Sequence, residues 1–418
     1  MSSIAEARAY RGTNQWILVV SIARILLFAN FMTVAGTIPL LKQEWNLTST
    51  GAGAIVTSFT MCYSASLFIF AWLADHIGAK RSVMISAVAS ASAALLFGFF
   101  ARDWTSAFVL YGLVGLCHGG IYTPVIMVFS DEVEPNRLGT AMGYLIGSTS
   151  LGYAGSLMAT AAGMWIGGWK AAFIAGGVLP MFGAAILLVA LWPIENRIHA
   201  KTRAPAKLSE VRKNRDGLLL IGTYVAHTWE LLGMWAWLPA FLSINLVLSG
   251  AGVVAATVTG ASVSAIMHLF GSAASVSTGR ISDRVGRRPV IVAMAAASAA
   301  LSFVIGWLVA WPPVIVAGIG IAYAMLCLGD SPVMTTAISE RVDPVILGRV
   351  LAIRGLMGFG AGAISPLVLG AVLDATKAAA LSQPAQWGLA FAVLGIGGIA
   401  AAGCARALPR LKKSQVRG

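Results

Sequence analysis

The sequence predicts an all-α membrane protein with twelve transmembrane helices in two pseudo-symmetric six-helix halves. Three observations predict it. The 418 residues are 58% hydrophobic and only 11% charged, with a mean hydropathy of +0.82, whereas a soluble domain carries about 25% charged residues. Apolar runs of about 20 residues, the length that crosses a bilayer, recur twelve times along the chain. Loop landmarks of the first half also return in the second, 208 or 209 positions later.

The runs cover residues 16–41, 51–74, 82–101, 104–130, 138–163 and 169–193, then 218–245, 252–278, 289–309, 312–337, 348–373 and 386–408. The polar opening MSSIAEARAYRGTNQ leads into no short apolar segment with a cleavage site, so the first run is expected to stay as a span. Between the sixth and seventh runs lies the one long polar stretch, ENRIHAKTRAPAKLSEVRKNRD. It divides the chain into an expected N-terminal bundle over 1–193, an interdomain linker over 194–217 and a C-terminal bundle over 218–418. The 46 glycines suit helices that approach closely in lipid.

The net charge of +13 would suggest nucleic acid in a soluble protein. Here topology explains it. With the N-terminus inside, only Lys42, Arg102, Lys170 and Lys377 fall in outer loops, and Arg24 and Arg354 lie within spans. The remaining Lys and Arg sit on the inner side, as the positive-inside rule requires. A bacterial inner-membrane protein with both termini cytoplasmic is expected, and a nucleic-acid partner is not. Cys62, Cys117, Cys327 and Cys404 all lie in spans without metal-ligand or redox spacing, so no metal or cofactor is expected. No G-x-x-x-x-G-K-[ST] phosphate loop occurs, so ATP hydrolysis by this chain is not expected.

The repeat carries the next inference. AWLADHIGAKR at 71–81 and GRISDRVGRRP at 279–289 share D-x-x-G-x-[KR]. VEPNRLG at 133–139 and VDPVILG at 342–348 share V-[ED]-P-x-x-L-G, and TPVIM at 123–127 parallels SPVMT at 331–335. Two halves with the same landmarks are a parallel repeat, as in transporters whose site lies between the halves. Gly279, Asp283, Gly286 and Arg288 resemble the G-x-x-x-D-x-x-G-x-[KR] signature of the major facilitator superfamily. Asp75, Gly78 and Lys80 resemble its first-half copy, with Ala71 at the leading glycine.

The resemblance extends over the whole chain and implies alternating-access transport of a small molecule by a single chain. It also implies gating by the signature. Asp75 would latch near Gly348 and Arg349 at the start of span 11, and Asp283 near Arg137, when the inner end is closed. Two departures stand out. Tyr111, four residues before Gly115, replaces an arginine common in proton-coupled members, and GSTSLGYAG at 147–155 lacks the Gly-Pro of drug antiporters.

Ionisable residues inside a span mark a functional pathway. The strongly polar set here is Arg24, His118, His227, Glu230, His268, Asp330 and Arg354. None falls on spans 3, 6, 9 or 12, the outer supports of the resembled fold, and the others are expected to line its central cavity. Arg354 is the expected anion contact, because its planar fork matches a carboxylate. Carboxylate carriers of the superfamily resemble this chain in placing a cation on span 11. An Arg354–Asp330 ion pair is the structural alternative. Arg24 is a second anion contact, a partner of Glu230 or a snorkelling residue. His268, Tyr122 and Tyr323 complete the expected substrate contacts. Glu230 and Asp330 are the expected proton carriers, with His227 one turn from Glu230 as a relay; a static ion pair and a direct contact to a cationic substrate are the alternatives for Glu230. Tyr144, Tyr224, Trp229, Trp235 and Trp237 fall on the same spans and are expected mostly to pack or to anchor span ends. Pro239 is expected to break the outer end of span 7.

The sequence therefore predicts a proton-coupled secondary transporter of a small organic anion, and no enzyme. A proton-driven exporter of cationic compounds is the alternative, and a receptor that kept the fold is a third reading.

Overall fold

A backbone in hydrocarbon has no water to bond, so every crossing must satisfy its own N–H and C=O groups. The computed structural model describes residues 10–198 and 208–409 and meets that demand with helices. Span 1 is Asn14–Glu44, span 2 Ser49–Ile77, span 3 Ala79–Phe100 and span 4 Trp104–Glu132. The next helical stretch, Pro135–Leu191, has 57 residues, far more than one crossing needs. It turns at Gly167 and Gly168, and Gly168 takes φ 67°, ψ −160°, a conformation open to a residue without Cβ. Spans 5 and 6 are the two arms of this corner. Span 7 is Arg215–Leu248, span 8 Val253–Val285, span 9 Arg287–Leu308, span 10 Pro313–Arg341, span 11 Val345–Ala378 and span 12 Gln383–Arg406. Twelve crossings result among the described residues.

Of the expected linker, residues 199–207 lie outside the described residues, and Leu208–Lys213 forms a short helix. Span 7 begins at Arg215 because Asn214 caps it, its side chain accepting the Gly217 N–H at 2.7 Å. Thr13, Thr48, Asp103 and Asp343 cap other helix starts in the same way. Pro239 does not end span 7; the helix runs through it to Leu248. The proline is buried among neighbouring helices, and its carbonyl accepts from Ser243 Oγ at 2.8 Å.

The two signature loops share one backbone. Gly78 has φ 94°, ψ 149° and Gly286 φ 95°, ψ 157°, so the repeat in sequence is a repeat in conformation. A side chain would be strained at either position.

The halves meet through spans 2 and 11 and through spans 5 and 8. At the end away from the signature loops the contact leaves no room for a methyl group. A Cβ on Gly53 would strike the Pro366 carbonyl, and one on Gly370 the Ser49 carbonyl. At the signature end the same helix faces stand apart. Gly348 is five turns before Pro366 on one face of span 11, and nothing lies within 4 Å of where its Cβ would be. Gly355 on that face is equally open, as is Gly139 on span 5, five turns before Leu157. The halves close at one end and part at the other.

Candidate functional site

The site begins with two broken helices. In span 4 the helix Trp104–His118 tightens into a 3-10 turn over Gly119–Ile121 and resumes at Thr123. In span 10 the helix Pro313–Gly329 stops, and Ser331–Arg341 starts beyond Asp330. Pro124 and Pro332 sit at corresponding places just after each break. Neither has an N–H to give to the preceding turn, so carbonyls are released inside the membrane. Side chains recover them: Ser275 Oγ donates to the Leu328 carbonyl at 2.9 Å, and Thr278 Oγ1 to that of Gly329. In span 4, Arg24 Nε donates to the Ile121 carbonyl at 3.0 Å. The breaks put Tyr122 and Asp330, 208 positions apart, at equivalent sites in the two halves.

Arg24 is only 1% exposed. Besides Ile121 it donates to the Leu145 carbonyl, to Ser148 Oγ at 2.6 Å and to Thr149 Oγ1 at 3.0 Å. It ties span 1 to spans 4 and 5 through uncharged acceptors. Arg354 is held differently. Its guanidinium lies 3.8 Å from the centre of the Tyr224 ring, and Nη2 donates to Thr335 Oγ1 at 3.1 Å. Its Nε is buried without an acceptor. Among the described residues no carboxylate stands within 4.0 Å of either arginine. Arg24, Tyr122, Tyr224 and Arg354 each lie nine or ten residues from the signature end of their spans, about 15 Å deep. Tyr122 keeps 36% of its surface exposed.

Deeper still, aromatic rings join the halves. Tyr153 of span 5 stands 5.0 Å from Trp235 and 5.6 Å from His268, and Tyr63 of span 2 meets Phe359 of span 11 at 5.9 Å. His268 thus belongs to this aromatic layer rather than to the arginine layer.

The acids are inside the C-terminal half. Glu230 is 1% exposed, and its Oε2 accepts from Ser298 Oγ of span 9 at 3.1 Å. The same oxygen crowds Gly398 of span 12, leaving no room for a Cβ there. Its carboxylate therefore turns toward two outer-support helices and away from the other half, contrary to the expected cavity lining. No Arg24–Glu230 pair forms. Asp330 does not pair with Arg354 either; its Oδ1 is 3.2 Å from His227 Nδ1, while His227 Nε2 is 3.0 Å from Ser331 Oγ. The helix break explains this choice, because it carries Asp330 toward span 7. Tyr323 is fully buried and donates to Ser302 Oγ at 3.0 Å. The structure does not bring it to the arginines.

Lys80, Asp283 and Arg288 make their contacts within their own halves here. Lys80 Nζ donates to the Trp192 and Ile194 carbonyls at 2.9 and 2.6 Å, and Arg288 donates to that of Arg406 through Nε at 3.2 Å. Asp283 pairs with Arg287, which also reaches Glu340 at 2.8 Å, and Arg137 donates to Asn14 Oδ1. The space around Gly348 and Gly279 is open.

A family model described as Major Facilitator Superfamily matches residues 20–366. The chain belongs to that superfamily. Among curated relatives, the inner membrane transport protein YnfM of Escherichia coli is 25% identical over 288 residues, 68% of this chain and 67% of that protein. Two Buchnera aphidicola transporters match over less than half of their own length. A gallate transporter of Pseudomonas putida is 27% identical over 93% of this chain and 90% of its own. A probable sulfoacetate transporter, SauU, of Cupriavidus necator is 23% identical over 93% of both. Among solved structures, a D-xylose-proton symporter superposes with a TM-score of 0.75 at 16% identity, covering 94% of this chain and 97% of that one. A bacterial homologue of the human lysosomal transporter Spinster gives 0.71 at 13% identity over 96% of each. These structural likenesses establish the fold.

As a member of the Major Facilitator Superfamily, the chain is a multi-pass membrane transporter of small molecules. Sequence reasoning finds Arg24 and Arg354 but passes over three of their surroundings. It takes Tyr224 for packing and Thr335 for part of a repeat, and it does not reach Tyr153. The parallel between TPVIM and SPVMT is the available signal, because a proline in the same place of two spans marks discontinuous helices near a site.

Proposed function

We propose that this transporter carries a small organic anion with a carboxylate-like group, driven by protons. The observation that carries the reading is the pair of buried arginines at one depth with no carboxylate partner among the described residues. A buried charge is costly unless something neutralises it, and an anion entering from the parted end would do so at Arg354. Arg354 holds the carboxylate through its free Nε edge, Tyr122 borders the same space, and Arg24 adds its field without leaving its carbonyls. His268 closes the deep side. The gallate and sulfoacetate transporters among the relatives favour the same substrate class. The cation-exporter alternative loses support because Glu230 faces Ser298 rather than the space between the halves.

Proton coupling is assigned to Glu230 and to the His227–Asp330 pair, which occupy the C-terminal half without an arginine beside them. The distribution of Lys and Arg supports a cytoplasmic side for the signature loops and both termini. The bundles over 1–193 and 218–418 rock about the site, and Asp75, Asp283 and their neighbouring signature residues engage across the halves when the cytoplasmic end shuts.

The test is thermal stability of the purified protein with carboxylates and with organic cations. A ligand that binds only the folded state stabilises it by about 2.7 kcal/mol at a hundredfold excess over Kd. Carboxylates should raise Tm, and Arg354→Gln should remove the effect. Stabilisation by cations alone would overturn the reading.

A further inference from the structure

At the end where the halves meet, one helix is capped by a residue of the other half. The start of span 2 leaves its first backbone N–H groups without intrahelical acceptors. Thr48 Oγ1 accepts the Gly51 N–H at 3.0 Å, which is an ordinary cap from the same chain segment. The Ser49 and Thr50 N–H groups have a different acceptor. They donate to Asp374 Oδ1 and Oδ2 at 2.8 and 2.7 Å, and Thr50 Oγ1 donates to Oδ2 at 2.6 Å. Asp374 lies in the last turns of span 11, four residues before its end at Ala378.

Of the N–H groups of the first three helical residues, one is satisfied locally and two across the halves. Both charge and geometry favour the contact, because a carboxylate is stabilised by the positive end of a helix. Lys42 adds to it by donating to Ser49 Oγ at 2.6 Å. The backbones beneath are pressed together, since neither Gly370 against Ser49 nor Gly53 against Pro366 leaves room for a Cβ.

We infer that Asp374 is the latch that holds this end of the transporter shut. Opening must pull span 11 from span 2 and break all three bonds in one movement, because they share one carboxylate. The device is reciprocal in layout to the signature. Spans 2 and 11 run antiparallel, and Asp75 stands two residues before the end of span 2, as Asp374 stands near the end of span 11. Each helix of the pair therefore carries an acidic residue at the end where its partner starts. The Asp374 latch is independent of which anion is carried.

Two reporter cysteines read the latch in the full chain with its native cysteines replaced, in lipid nanodiscs that expose both faces to a water-soluble maleimide. Ala261→Cys lies in the closed region, where a Cβ on Gly36 would stand 3.7 Å from Ala261, and Gly355→Cys lies in the open one. Asp374→Ala should speed labelling at Ala261→Cys by about tenfold or more, the equivalent of one hydrogen bond to a charged group. It should also slow labelling at Gly355→Cys, because opening one end shuts the other. Ser49→Pro removes one of the donated N–H groups at a position where proline suits a helix start, and should shift both rates the same way by less. Unchanged rates would overturn the inference. Faster labelling at both reporters would also overturn it, because that reports loosening and not a gate.

Discussion

Arg354 and Tyr224 form a cation–π pair, the guanidinium carbon 3.8 Å from the ring centroid. The ring lies under the guanidinium carbon, while Thr335 takes one Nη2 donor and Nε stays without an acceptor. An arginine held this way is oriented but unsaturated, which suits a ligand that arrives and leaves. Arg24 already has four acceptors and holds the protein together instead. The difference between the two arginines gives opposite mutant phenotypes.

Arg354→Gln should keep the fold and lose the substrate. A hydrogen bond to a charged group contributes about 1.5–3 kcal/mol, so Kd should rise about tenfold to a hundredfold, measured by ligand-induced Tm shifts. Arg354→Lys should not restore binding, because an ammonium lacks both the fork and the stacking plane. Full binding in the lysine variant would mean that only charge matters there.

Arg24→Gln should do the reverse. It leaves the Ile121 carbonyl without its side-chain donor at a helix break inside the membrane, at about 1–3 kcal/mol for a buried group left unsatisfied, and removes one of the donors to Leu145, whose carbonyl keeps Ser148 Oγ. The expected result is a Tm lowered by several degrees, with a loss of substrate affinity smaller than in Arg354→Gln because only the field of Arg24 is missing. A stable variant with abolished binding would assign Arg24 to direct contact instead.

How far these roles can be read from the chain depends on the residue. The twelve apolar runs and the doubled loops are legible, because crossing length and backbone turns are local properties; Gly78 and Gly286 even share their φ and ψ. The depth of Arg24, Glu230 and Arg354 is legible for the same reason. Direction is not. A helix that is apolar on all sides carries little periodicity to say which face meets which neighbour, so the sequence points Glu230 at the other half and the structure sets it against Ser298. Prolines alone do not locate the breaks. Pro239 suggests a break where the helix continues, whereas Pro124 and Pro332, read in the sequence only as part of a repeat, stand just after real breaks. In a membrane helix, what happens at a proline depends on which side chains recover the freed carbonyls. The Asp374 cap is invisible in the sequence because its partners lie more than 300 positions away.

Glu230→Gln should separate transport from its driving force. The amide keeps the size of the carboxyl and can still accept from Ser298, so the protein should fold with a nearly unchanged Tm. It cannot take up or release a proton. In vesicles, exchange of labelled substrate should continue while accumulation driven by an imposed pH gradient falls to the equilibrium level. Undiminished accumulation would remove Glu230 from the proton path and leave the His227–Asp330 pair, 3.2 Å apart, to carry it.

The glycines at the two ends of span 11 should answer the same substitution differently. Gly370→Leu inserts a side chain where a Cβ already strikes the Ser49 carbonyl, so the closed end must spread and stability should fall. Gly355→Leu projects into open space and replaces a poor helix former with a good one, a gain of up to about 0.8 kcal/mol. The folded protein should be as stable as before and should still bind substrate. Transport should nevertheless stop, because the parted faces have to come together for the cycle to proceed and the leucine occupies the gap. Ligand-induced Tm shifts alongside uptake in vesicles separate the two effects. Normal uptake by Gly355→Leu would show that this face of span 11 does not close against the other half.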